Sequence, residues 1–228
     1  MPTVRSLLFA LALGASSAFA APFAVQVGDT RIALDSPAGY ADTTFTGSPR
    51  LQEIAEALTS ASNRILLFAI SDADLRRFTQ GDTPDLRRYM MAVTPKSLER
   101  ERTAPAQFQR VVEDSMRELG APPPQGASYA AYLTGQEAGV PVLLEQLRKE
   151  PAVFSYLQGT RVPPQRRPSF FLPDEKPQFL ISTTSLMLVR GKTLHLTVFS
   201  PFESPLDAEW IRAVTVRWIE DLQRLNNR

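Results

Sequence analysis

The 228-residue chain contains no cysteine and a single histidine, and each scarcity removes a class of chemistry. Without cysteine there is no disulfide framework, no thiolate nucleophile and no sulfur for lipid attachment. One imidazole and no thiol also argue against a zinc centre, which normally collects several such ligands. Charge of one sign is missing as well: 25 Lys and Arg against 24 Asp and Glu give a formal net charge of +1. Nucleic-acid binders neutralise phosphates with a basic excess that is absent here, so no nucleic-acid partner is expected. The sequence has no glycine-rich phosphate loop and no dinucleotide fingerprint. No cofactor and no metal are expected on these grounds.

Long apolar runs are confined to the start. Arg5 is the lone charge before "SLLFALALGA", and the tripeptide Ala18-Phe19-Ala20 follows. A short basic region, an apolar stretch too brief to span a bilayer and small residues at a cut describe a secretory signal peptide over residues 1–20. Removal of that segment takes Arg5 with it and leaves 24 basic and 24 acidic residues. The expected product is soluble and periplasmic or secreted, with no transmembrane segment after signal removal. Lacking disulfides, it relies on its core, and residues 21–228 are long enough for a single well-buried domain.

What is present reads as alternating strands and helices. "FAVQVGDTRIAL" is a hairpin turning at Gly28-Asp29. Ser48-Pro49 opens a helix whose apolar stripe is Leu51, Ile54, Ala55 and Leu58. "RILLFAIS" is apolar on both faces and reads as a central strand. The near-copies "DLRRF" and "DLRRY" are separated by Gly81 and Pro84, and read as a short helix, a turn and a strand rather than a repeat. Thr103 begins a helix facing the core with Phe108, Val112, Ser115 and Leu119, and Gly120 stops it. Leu143, Leu144 and Leu147 suggest a helical piece before the strand "AVFSYLQGTRV". Five prolines between 163 and 177 make residues 161–177 a stiff Pro-rich surface loop. Residues 178–200 form a hairpin around Arg190-Gly191-Lys192, and a three-residue turn would pair Leu188 with Leu194 and Leu186 with Leu196. Ser204-Pro205-Leu206-Asp207 caps a last helix. Trp210, Ile211, Val214, Trp218, Leu222 and Leu225 share one face, while Arg212 lies off it and Glu220 is spaced to pair with Arg224. The fold class expected is α+β: an antiparallel β-sheet flanked by helices, with the C-terminal amphipathic helix packed on the sheet.

The closing "DAEWIRAVTVRWIEDLQRLN" after a hairpin, and the opening "GDTRIALDSPAGY", resemble the ends of exported PsbP-like domains, related to the extrinsic oxygen-evolving-complex protein P. The resemblance covers the two ends of the mature chain and not residues 121–177. It implies an antiparallel sheet flanked by helices and roles in assembly or binding. The family has no universal catalytic motif, so no residue inherits a function from it.

Candidate functional residues are few. His195 could act as a general base, but it sits mid-strand between Leu194 and Leu196 in a chain with no nucleophile elbow. Asp72 and Asp74 follow the apolar strand, where paired acids could serve hydrolysis and where helix starts also call for aspartate. "SLERER" around Arg100 reads as a solvated face. Arg166 and Arg167 beside Phe170 and Phe171 suit an interaction loop, or aromatics that cover a sheet edge. The function expected is a non-catalytic binding or assembly domain for an unknown protein or small ligand in the periplasm. The alternative is an aspartate- or histidine-dependent periplasmic hydrolase.

Overall fold

A computed structural model describes residues 22–163 and 178–227. The chain opens with a hairpin, β1 (Phe23–Val27) and β2 (Thr30–Leu34), turning at Gly28-Asp29 as its sequence predicts. Then come β3 (Tyr40–Asp42), α1 (Pro49–Ala57), β4 (Asn63–Ser71), α2 (Asp72–Thr79) and β5 (Tyr89–Pro95). They are followed by α3 (Pro105–Leu119), α4 (Tyr129–Thr134), β6 (Pro141–Glu150) and β7 (Val153–Arg161). The last three elements are β8 (Phe179–Val189), β9 (Lys192–Pro201) and α5 (Pro205–Asn226). Strands β3 to β9 form one seven-stranded antiparallel sheet in the order β3-β4-β5-β9-β8-β7-β6, and β1–β2 stand apart from it. With α5 packed on it and helices on its other face, the molecule is of the α+β class.

Period-two alternation assigns the two faces. Leu194, Leu196 and Val198 of β9 face α5, which buries Ile211, Trp218, Ile219 and Leu222 against them together with Val27, Ile32 and Leu34 of the hairpin. Where α5 crosses the strands, polar groups are small and paired: the Thr183 and Thr215 hydroxyls meet at 2.7 Å, and Ser155 meets Ser185 at 2.7 Å. On the opposite face, α1 and α2 cover Phe68, Ile70, Met91 and Val93. At the other end of that face, α3 sets Phe108 and Val112 on Phe154 and Leu186.

The free-standing hairpin is held by side chains from distant elements. The Asn226 amide donates to Ala33 O (2.8 Å) and accepts from Ala33 N–H (3.0 Å), extending the β2 edge as another strand would. Trp218 Nε1 donates to Asp35 O at 2.8 Å. Lys192, only 1% exposed, donates to the Glu99 and Glu101 carbonyls (3.1 and 2.9 Å) and reaches Asp29 at 3.0 Å. The segment around Arg100 is therefore more than a solvated face, since its backbone anchors a buried cation.

Several expectations are corrected. Leu143, Leu144 and Leu147 lie on strand β6, not on a helix. Two bulges, between Leu143 and Glu145 and between Gln146 and Arg148, break the alternation and leave a leucine spacing that mimics a helix. The preceding helix α4 carried no periodic signal. It fits because Gly159 leaves room for it: a Cβ there would stand 2.9 Å from the Leu133 and Leu144 side chains.

The β8–β9 turn has two residues, Arg190 and Gly191, with φ of 52° and 82°. Two consecutive positive φ values twist with the strands, which a three-residue loop does not achieve in the same way. The register is consequently Met187↔Leu194 and Leu186↔His195. That single-residue slip moves Leu186 and Leu188 to the face covered by α3. Helix α3 starts at Pro105 rather than Thr103, whose hydroxyl instead accepts from Thr193 at 3.1 Å. On α5, Trp210 is only half-buried, with Arg88 stacked 4.0 Å over its ring. Arg224 pairs with Asp221 (2.7 Å), while Glu220 faces Arg148 at 3.7 Å.

A candidate binding cleft at the sheet edge

The residues singled out by sequence occupy separate stations. His195 lies on β9, the middle strand, opposite Val93 and Leu186. It is half-buried, and burial lowers its pKa from the usual imidazole value. Asp72 is exposed at the start of α2. Asp74 is buried: it accepts from the Ser71 hydroxyl (2.8 Å) and from Asp85 N–H (2.8 Å), tying the helix start to the loop before β5. Among the described residues no hydrogen bond or ion pair joins His195 to either aspartate. Arg166, Arg167, Phe170 and Phe171 lie outside the described residues. No group of three or more His, Asp or Glu side chains among the described residues is placed to hold a metal ion.

A concave feature with an apolar floor lies elsewhere, and β3 is the reason for it. That strand pairs with β4 only along Ala69–Ser71. Thr43 adds a last contact, its N–H and hydroxyl both donating to Phe68 O at 2.8 and 2.9 Å. The Asp42 carboxylate caps this departure by accepting from Phe68 N–H (3.3 Å), Thr44 N–H (3.2 Å) and the Thr44 hydroxyl. Burial pushes the Asp42 pKa up, opposed by these donors. The chain then turns away through a single 3-10 turn to Ser48, whose Oγ accepts from Leu51 N–H and starts α1. Residues Asn63–Leu67 of β4 are left with β5 on one side and, among the described residues, no strand on the other.

Between that edge and α1 lies a cleft of about 570 Å³, within the size range of ligand sites. Leu51, Ala55, Ile65 and Phe68 supply its apolar floor, and hydroxyls and amides of Thr43, Ser48, Gln52 and Asn63 its polar wall. The turn before β4 closes one end, where Asn63 Nδ2 donates to Thr59 Oγ1 (3.2 Å). Lys96 stands at this closed end, and its Nζ donates to Ala61 O at 2.8 Å. The neighbouring Arg64 is already paired with Glu99. An apolar floor with convergent polar groups suits binding. Sequence identified α1 as a helix with an apolar stripe and β4 as a central strand. In the fold, β4 lies next to the sheet edge, and half of it lacks a second partner strand among the described residues. That β3 stops at Asp42 is a non-local pairing decision with no local signal.

Fold and cleft together define an α+β protein with a partly unpaired sheet edge beside a helix. No family model matches the chain, and no curated protein matches it. Among solved structures, a mutant of the protein Mog1 is similar over 90% of this chain and 94% of that one, at 12% identity and a TM-score of 0.40. At that level the likeness carries neither family nor function.

Proposed function

We propose that this protein is an exported, periplasmic or secreted binding or assembly domain of the PsbP-like kind, acting without catalysis of its own. The cleft between α1 and β4 carries the reading: its lining combines an apolar floor with hydroxyl, amide and ammonium groups, which recognise a partner by contact. The PsbP-like pattern at both ends of the chain and the signal-like first twenty residues support the same reading. The partner is a protein or small ligand met outside the cytoplasm.

A photoreactive amino acid at Gln52, an exposed position on the cleft wall, tests it in living cells. A discrete crosslinked species is expected from Gln52 and not from Arg217, an exposed position on α5. Equal or absent crosslinking at the two positions would refute a binding role for the cleft.

A further inference from the structure

Resting on that binding reading, the geometry points to a particular occupant: the extended C-terminal segment of a partner protein. We infer that it adds a strand to the open edge of β4, with its terminal carboxylate on Lys96.

Three observations carry this. An unpaired strand edge presents a row of backbone N–H and C=O groups, and the partner that satisfies such a row is another extended chain. Here β3 occupies the edge lane as far as Thr43 and then leaves it, so Asn63–Leu67 offer a vacated continuation of an existing lane. The lane spans five residues, close to the typical strand length of about 5–6. It carries a bulge between Ile65 and Leu67, and the Asn63 N–H already donates to Ser60 O at 2.9 Å.

The direction follows from β3. That strand runs antiparallel to β4, so a segment continuing the lane in the same sense also pairs antiparallel, the slightly stronger arrangement. Its C-terminal end then arrives at Asn63. The lane is closed there by Thr59, Ser60 and Ala61, so a chain end fits where a through-running chain would meet a wall.

Charge settles which end. Lys96 stands at the closed end, exposed, with a backbone carbonyl as its hydrogen-bond partner and no ion pair among the described residues. A free carboxylate complements it; an ammonium terminus would be repelled. Side chains of the incoming segment alternate between faces, so every second one would rest on Leu51, Ala55, Ile65 and Phe68.

The test is a display library of random segments with free C-termini, selected on the purified protein and on two folded variants. Gln52→Trp crowds the cleft from an exposed helix position, and Lys96→Gln removes the ammonium. Unchanged melting curves establish that both variants are folded. Expected is enrichment on the wild type and none on Gln52→Trp. A synthetic copy of an enriched peptide should lose about tenfold in affinity when its terminus is amidated, a difference of about 1.4 kcal/mol. Lys96→Gln should bind acid and amide forms equally. The same peptide methylated at alternate backbone nitrogens should not bind, because strand pairing needs those donors. Its amide resonance shifts should centre on Asn63–Leu67.

Absence of enrichment over Gln52→Trp overturns the inference. So does a methylated peptide that binds as well as its parent, although the binding reading then survives, since the cleft is still occupied. Concentration-dependent dimerisation abolished by Gln52→Trp would instead make a second copy of this chain the occupant. Failure of the crosslinking experiment at Gln52 is a separate result and removes the binding reading itself.

Discussion

Lys192 shows how little a residue's type says about its work. A lysine after a turn glycine reads as solvent-facing, yet its ammonium is buried among the Glu99 and Glu101 carbonyls. Asp29, its carboxylate partner, is by contrast 76% exposed, and the lysine hydrogen bond lowers the Asp29 pKa. Lys192→Met should therefore destabilise the protein by roughly 1–3 kcal/mol, since it leaves the part-buried Glu99 and Glu101 carbonyls without that donor. Asp29→Asn should change the denaturation midpoint little, because water screens that partner. Equal losses for both substitutions would mean that the ion pair, not the carbonyl cage, is what matters.

A second residue gives a pH signature. Burial raises the Asp35 pKa from 3.8, with Asp221 adding repulsion against the Ser36 backbone hydrogen bond. Among the described residues its Oδ1 has no hydrogen-bond partner. A carboxyl whose folded pKa lies above the unfolded one binds its proton more tightly when folded. Its ionisation therefore costs stability as pH rises through the folded value, and the cost vanishes below the unfolded value. Asp35→Asn should melt higher than the wild type at pH 7, and the gap should close as pH falls toward 3.8. A gap independent of pH would assign the effect to packing.

At the scale of elements, the sequence was legible where signals are local. Ser48-Pro49 and Ser204-Pro205 both start helices where they stand, and Gly28-Asp29 turns the first hairpin. Long-range facts were less readable. A helix pattern became strand β6 because bulges imitate it, and a turn one residue shorter than expected reversed the facing of Leu186 and Leu188. The edge cleft belongs to the same class, because it arises from where β3 stops pairing.

Helix α5 carries both kinds of information. Trp218, 1% exposed, is the large side chain in the cluster it shares with the hairpin and sheet. Its replacement by alanine should cost about 3–5 kcal/mol in equilibrium denaturation. Arg212 has a tertiary role that its spacing did not reveal. Its guanidinium donates to Glu145 of β6 (2.7 Å) and to the Tyr129 hydroxyl of α4 (3.1 Å). Because the pair is partly exposed, Arg212→Ala should cost no more than about 1 kcal/mol. If Trp218→Ala stays fully folded, α5 is not the element that closes the core.

At the scale of the whole molecule, the absence of cysteine places the burden of stability on burial. Three clusters meet it, one under α5 and two on the opposite face. A chain that needs no disulfides gains nothing from an oxidising compartment, so its destination has to be argued from its first residues. On the exported reading proposed above, Arg5, the apolar run and Ala18-Phe19-Ala20 would direct cleavage after Ala20. The first strand begins at Phe23, so this cut removes no residue of a described element. The protein recovered from the periplasm should accordingly begin at Ala21, as read by N-terminal sequencing and intact mass. Substituting Ala20 by a bulky residue such as Phe should block processing and leave the precursor held at the membrane by its apolar run, because the peptidase pocket admits only small side chains at the cut. An intact Met1 on periplasmic protein, or processing untouched by Ala20→Phe, would remove the secretory route and with it the compartment in which the cleft is proposed to meet its partner.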